Sequence, residues 1–388
     1  MILAAAAALV ACSKNELVPV EAIDAETEIA YTVAPKVRST INDFDKNWKF
    51  KSYAFYLANK DASGNALSWA SHAGVTPTEY ISNQEISYNT TDNVWRNANK
   101  KYYWPKAGKL TFFAYTNVTE SIVDNNEGTG KGNSTYVFSD SKYVTPSVTA
   151  DAGVVYSNYD VVANKNVDIL VADIKADQTK NTLKNETGNL TNKFDGVPTL
   201  FKHKLSKVIF TAQTKDGYDY ETKDDITFTI NSITFKGIDK VNTYTQVDQD
   251  GAESWGTASE SKDQTYYAKA ADPATGVKVT TKIVGLYADG NQYFYLPQSF
   301  KAQTRGTTAL TEDVFVVNYT IKYANGTTET IEQECVMNNS NTSIASVFDK
   351  WEMAKVYYIN LKFSLDEILW DPAVEDWTDV TKDVTVNP

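Results

Sequence analysis

Residues 355–364 read KVYYINLKFS. Tyr357, Ile359, Leu361 and Phe363 recur at every second position, so an extended chain puts all four on one face. A helix, with its period of 3.6, scatters them around its axis. The stretch is therefore a strand with one apolar face. The same alternation governs KSYAFYLA (51–58), GKLTFFAYT (108–116), GVVYSNYDVV (153–162), KLSKVIFTAQT (204–214) and DITFTINSITFKG (225–237). It continues in GVKVTTKIVG (276–285), NQYFYLP (291–297), DVFVVNYTIKY (313–323) and ETIEQECV (329–336), with Asn, Asp, Gly and Lys between the runs. Between Ile226-Phe228-Ile230 and Ile233-Phe235 the phase slips by one at Asn231-Ser232, which predicts a bulge or bend. ASVFDKW (345–351) reads as a single helical turn. Helical periodicity is otherwise almost absent, and the pattern is that of antiparallel sandwiches rather than alternating βαβ units.

The bulk numbers agree. A chain of 388 residues suggests two or three domains. Its 24 Tyr, 16 Phe and 8 Trp favour pleated sheet, and 42% hydrophobic against 22% charged residues is enough to build real cores. Net charge is −12 and the pI about 4.8. Removing residues 1–38, which hold three Lys/Arg and five Asp/Glu, still leaves −10. Such a chain does not bind nucleic acid through its overall field. Two histidines, His72 and His203, are thin material for a metal site or for acid/base chemistry, so no metal and no cofactor are expected.

Only Cys12 and Cys335 could form a disulfide, and Cys12 has another explanation. It follows MILAAAAALVA, an apolar run of 11 residues. That is too short to span a bilayer and suits the core of a secretory signal, although the usual basic lead is missing. Leu9-Val10-Ala11-Cys12 resembles a bacterial lipobox, in which the small residues fit the signal peptidase and the thiol receives diacylglycerol. SKNELVPVEAIDAETE (13–28) then reads as a polar tether.

Chemistry-bearing motifs are weak. EGTGKGNS (127–134) lacks P-loop spacing and reads as a surface loop within the longer excursion 124–135. VDQDGAE (247–253) lacks the EF-hand order and reads as a hairpin turn. Asp371, Glu375 and Asp376 in WDPAVEDW form a solvated strand edge rather than a catalytic pair. Ser206 has no nucleophile-elbow pattern, His203 reads as a packing residue, and Cys335 as a small buried one. Trp69, Trp95, Trp104, Tyr102 and Tyr103 are able to stack on sugars, but NKKYYWPKAGKLTFFAY (99–115) reads more simply as strand and core, turning at Pro105 and Gly108. No enzyme activity is expected. The polar stretch 175–197 reads as a loop, with a domain boundary near its end.

Taken in order, several blocks resemble the fimbrillin-type pilins of the Bacteroidales. They are the lipobox, EIAYTVAPK before Arg38-Ser39, YYWP…LTFFAY (102–115), VDILVADIKADQT (167–179), LFKHKLSKVIFTA (200–212) and the closing WEMAKVYYINLKFSLDEILWDPAVEDW (351–377). The resemblance implies an all-β chain of two tandem transthyretin-like Greek-key β-sandwich domains. The expected layout is a signal peptide 1–12, a propeptide with the first strand 13–38, and domains 39–197 and 198–388. It implies export as an outer-membrane lipoprotein and assembly with other pilin subunits into adhesive surface fimbriae. An arginine-specific protease would cut between Arg38 and Ser39 and remove the first strand. That strand has Ile29, Tyr31 and Val33 on one face, and Pro35 ends its pairing. A C-terminal strand from another subunit would replace it. Val380, Val384 and Val386 share a parity with Val374 and supply an apolar face for that donation. Further partners would be the lipid-anchoring membrane and a receptor on host or bacterial surfaces. The alternative is a monomeric, surface-exposed, glycan-binding lipoprotein.

Overall fold

The computed structural model describes residues 23–33, 44–72, 74–123, 133–138, 144–180, 196–247, 252–268, 276–287, 291–304, 309–338, 348–365 and 368–376. The fold is all-β, as the alternation dictates. In chain order the strands are β1 (Ile23–Glu28), β2 (Tyr31–Val33), β3 (Lys49–Leu57), β4 (Thr78–Asn89), β5 (Val94–Asn97), β6 (Tyr103–Pro105), β7 (Lys109–Val123), β8 (Asn133–Phe138) and β9 (Ser147–Thr149). Next come β10 (Gly153–Asp160), β11 (Val167–Ala172), β12 (Lys175–Gln178), β13 (Val197–Thr199), β14 (Phe201–His203), β15 (Ser206–Thr214), β16 (Thr227–Thr245), β17 (Ser254–Trp255), β18 (Glu260–Ala268) and β19 (Val277–Lys278). The rest are β20 (Val284–Gly285), β21 (Phe294–Tyr295), β22 (Gln298–Ser299), β23 (Val314–Lys322), β24 (Thr328–Val336), β25 (Lys350–Trp351), β26 (Lys355–Phe363) and β27 (Ile368–Asp376). A short helix, α1 (Tyr220–Asp224), starts at Asp219, whose carboxylate accepts the Thr222 N–H at 3.1 Å. Among the described residues no helix is long and apolar enough to cross a membrane.

The chain forms two compact units: Met1–Val33, Lys51–Ala114 and Ile174–Thr199 make the first, and Ala34–Phe50, Tyr115–Asp173 and Leu200–Pro388 the second. In unit one the strand order is β13-β2-β5-β4-β3-β7, β12 also pairs with β7, and β1 pairs with β6. Its core is aromatic. Phe55 meets Phe113 edge-on at 5.7 Å, and Trp104 meets Phe112 at 5.8 Å. Trp95 and Trp104 are buried in this core, as expected from their strands. Between β6 and β7 the turn uses Gly108 at φ +83°, where a side-chain carbon would also run into the Tyr56 ring at 2.3 Å.

In unit two, β7 is followed by β11 and β14, with β8 also on β7. One further sheet runs β24-β23-β16-β10-β9 and another β20-β15-β26-β27. These two face each other as a sandwich, and their apolar faces meet through rings. Phe210 of β15 lies 5.6 Å from Phe235 of β16 and 5.2 Å from Phe315 of β23. Phe363 of β26 lies 5.9 Å from Phe228 and 5.2 Å from Tyr319. Tyr357, Ile359, Leu361 and Phe363 are all buried, which is the face that KVYYINLKFS foretold.

The 19-residue β16 stays continuous by bulging, and the β16–β23 register slips between Ile230 and Ser232, where the phase slip predicts it. Other expectations are corrected. The sheets are not wholly antiparallel: β15 runs parallel to β26 from Lys207↔Val356 to Thr214↔Phe363. The two strands lie far apart in sequence, so no hairpin constrains their direction. GVKVTTKIVG is two short strands, since β19 pairs with β16 while β20 pairs with β15. The chain changes sheets at Thr280, whose hydroxyl donates to Lys282 O at 3.0 Å. In NQYFYLP only Phe294–Tyr295 is strand, because Tyr293 through Leu296 are all buried and no face alternates. Of ASVFDKW, residues 345–347 lie outside the described residues, and Lys350–Trp351 is strand β25 rather than a helical turn, since it pairs with β22. The stretch read as loop 175–197 contains β12, and the tether read at 13–28 ends in β1. Both pair through their backbones, so polar side chains gave no hint of either.

Candidate functional site

The segment Ile23–Val33 is built into unit one along its whole length. β1 pairs antiparallel with β6 through Ile23↔Pro105, Asp24↔Trp104 and Glu28↔Tyr103, slipping register between Asp24 and Glu28. The Ile29 N–H then donates to Tyr102 O at 2.7 Å, and Ala30 O accepts the Val197 N–H at 2.8 Å. β2 follows, parallel to β13 on one side (Val197↔Tyr31, Thr199↔Val33) and antiparallel to β5 on the other (Tyr31↔Trp95). It is an interior strand with both backbone edges taken.

The side chains match that position. Ile29 and Tyr31 are 3% and 2% exposed, and Val33 is half-buried. The Tyr31 ring meets Phe112 edge-on at 5.8 Å, and its hydroxyl accepts from the buried Ser52 Oγ at 3.0 Å. Burial pushes the Tyr31 phenol well above its ordinary range, so it stays neutral. Glu28, at the end of β1, lies 3.5 Å from Arg96 and 3.6 Å from Lys101. At Gly196, where β13 begins, a side-chain carbon would come within 2.6 Å of Ala30 O, so only glycine allows this approach. The parallel partner β13 is what sequence reasoning missed. A three-residue strand containing Pro198 carries too little alternation to be seen, and Gly196 was its one signal.

The other expected elements of exchange stand elsewhere. Cys12, Arg38, Ser39, Val380, Val384 and Val386 lie outside the described residues. The strand before Trp377 is β27, fully laddered onto β26 from Lys355↔Asp376 to Phe363↔Ile368, and Val374 on it is 50% exposed. β27 is the last strand of its sheet, the position in which a proline such as Pro372 is tolerated.

The residues weighed for other chemistry do not converge. In unit two, His203 Nδ1 lies 2.5 Å from Asp168, with both side chains buried. Lys207 pairs with the buried Glu120, and Lys204 with Glu253 at 2.5 Å. Burial lowers the Lys204 ammonium's pKa, against the opposing pull of Glu253. In unit one, His72 Nδ1–H donates to Trp69 O at 2.6 Å. Ser206 Oγ donates to Glu352 O at 2.8 Å, Asp376 pairs with Lys355, and Cys335 is buried in β24. Asp371 and Glu375 are ladder positions of β27. Among the described residues no group of His, Cys, Asp or Glu is placed to hold a metal.

This all-β chain is similar to solved structures. A fimbrial protein from Bacteroides vulgatus is 16% identical, with a TM-score of 0.56 over 90% of this chain and 100% of its own. A cell adhesion protein from Bacteroides uniformis is 16% identical, with a TM-score of 0.45 over 90% and 99%. The tip fimbrial protein Mfa3 of Porphyromonas gingivalis is 11% identical, with a TM-score of 0.34 over 87% and 97%. No curated protein matches the chain. The fimbrillin-like family matches residues 37–377, which take in β3 through β27. The chain therefore belongs to the fimbrillin-like family.

Proposed function

We propose that the protein is a subunit of adhesive surface fimbriae, exported through the periplasm and held at the outer membrane by lipid on Cys12. Its role is structural rather than enzymatic. Maturation begins when an arginine-specific protease cuts between Arg38 and Ser39. The segment then released includes Ile29, Tyr31 and Val33. The observation that carries this reading is the position of β2 between β13 and β5. An interior strand that leaves exposes two backbone edges and an apolar slot, which another extended segment fills by β-augmentation. The segment carrying Val380, Val384 and Val386 is the proposed donor, entering the groove of the next subunit. Donor and groove are different surfaces, so the contact is head-to-tail and grows as a filament.

Intact-mass and N-terminal analysis of protein taken from the cell surface tests this directly. The expected mature chain begins at Ser39, and Arg38→Ala abolishes both processing and polymerisation. Filaments assembled normally from Arg38→Ala protein, with residues 13–38 still attached, overturn the mechanism. Fatty-acid labelling that spares Cys12→Ser but marks the wild type supports the anchor. A wild type that takes up no label excludes it.

A further inference from the structure

A cavity of about 560 Å³ opens in unit two, within the range of small-ligand pockets. Trp255 of β17 forms part of its wall and is half-exposed. Its ring is already fixed: Nε1–H donates to Lys204 O at 2.7 Å, and Tyr159 and Tyr244 contact the ring at 6.1 and 5.6 Å. A half-exposed indole held in one orientation is a stacking platform that loses no side-chain entropy on binding.

The polar groups around it are equally set. Asp239 accepts from Ser261 Oγ at 2.9 Å, and its N–H donates to Gln298 Oε1 at 3.0 Å. Glu352 pairs with Lys350 at 2.8 Å. Trp351, 2% exposed, also lines the cavity and closes its floor with buried aromatic surface.

A hydroxyl donates to a carboxylate, so an array of hydroxyls suits Asp239 and Glu352. The C–H face of a pyranose is apolar and weakly positive, and it suits the negative π-face of Trp255. Two carboxylates against the single ammonium of Lys350, on a chain of net charge −12, disfavour anionic sugars. We propose that this cavity binds a neutral oligosaccharide, with Trp255 as the stacking face and Asp239 as the hydroxyl acceptor. The site adds a ligand to the adhesive role and draws its use from that reading. Binding itself needs neither processing nor assembly, so either idea can fail while the other stands.

The test is titration of the unassembled full chain with neutral di- and trisaccharides of gluco, galacto and manno configuration. Sialyllactose serves as the anionic comparison, and the readouts are tryptophan fluorescence and calorimetry. The expected result is saturable binding of at least one neutral sugar with a Kd of about 1 mM or tighter. Trp255→Ala and Asp239→Ala each weaken it about tenfold or more, a loss of about 1.4 kcal/mol. Trp255 also anchors Lys204 O, so Asp239→Ala, checked by an unchanged unfolding curve, carries the result if Trp255→Ala loosens the fold. No saturation by any neutral sugar overturns the proposal, as does full affinity in Asp239→Ala or tighter binding of sialyllactose.

Discussion

The Tyr31 hydroxyl accepts a hydrogen bond from Ser52 Oγ at 3.0 Å, and both side chains are buried. It joins the first strand to β3 by a polar contact inside an otherwise apolar slot. Truncating it should loosen the uncleaved chain: Tyr31→Ala costs about 3–5 kcal/mol, the usual range for a buried ring. Tyr31→Phe keeps the ring, removes only the hydroxyl and costs about 1 kcal/mol. Urea unfolding of the uncleaved chain measures both. Equal effects of the two changes would mean that packing against Phe112 contributes nothing.

Gly196 sets how closely β13 approaches β2, since a methyl there would sit 2.6 Å from Ala30 O. Gly196→Ala should therefore push β13 off the first strand and cost about 1–3 kcal/mol, as overpacking usually does. Thermal melting gives the size. Limited proteolysis gives the place, because cleavage within residues 23–33 should quicken while cleavage in unit two stays unchanged.

Lys207 and Glu120 form a buried ion pair in unit two, with side chains 6% and 0% exposed. Glu120→Leu strips the ammonium of this carboxylate and should cost about 3–5 kcal/mol. The double change Glu120→Leu with Lys207→Met removes both charges and should recover most of that loss. A double-mutant cycle by denaturant unfolding reads the coupling directly. A double variant as unstable as Glu120→Leu alone would show that the pair is not the source of the cost.

Burial holds the phenols of Tyr31, Tyr159, Tyr266 and Tyr295 well above their ordinary range, and pushes Tyr357 up to about 12. A raised folded-state value means that the stabilising contribution is complete below the unfolded phenol's pKa of about 10. It is lost as pH climbs through the folded values. Stability should therefore be insensitive to these groups at neutral pH and fall steeply above about pH 10. Phenolate absorbance should rise cooperatively with loss of the near-ultraviolet circular dichroism. Gradual ionisation of these tyrosines in the still-folded chain would contradict the burial argument.

Much of the fold was legible in single stretches. Tyr357, Ile359, Leu361 and Phe363 needed only their spacing to define a buried face, and the slip at Asn231-Ser232 needed only the break in that spacing. The absence of helical period settled the class. These are local properties, because the pleat alternates every residue whatever the strand's partner. Partner choice is not local. That β2 lies between β5 and β13, runs parallel to Val197–Thr199 and depends on Gly196 came only from the assembled sheet. Asp24 through Glu28 and Lys175–Gln178 join their ladders by backbone groups common to every residue, so their side chains carry no sign of it. Nothing in the sequence marks Lys207 and Asp168 as buried; the fold brings Glu120 and His203 to them. A buried charge is tolerable only beside a partner, and sequence alone does not say which residues the tertiary structure will bring within reach.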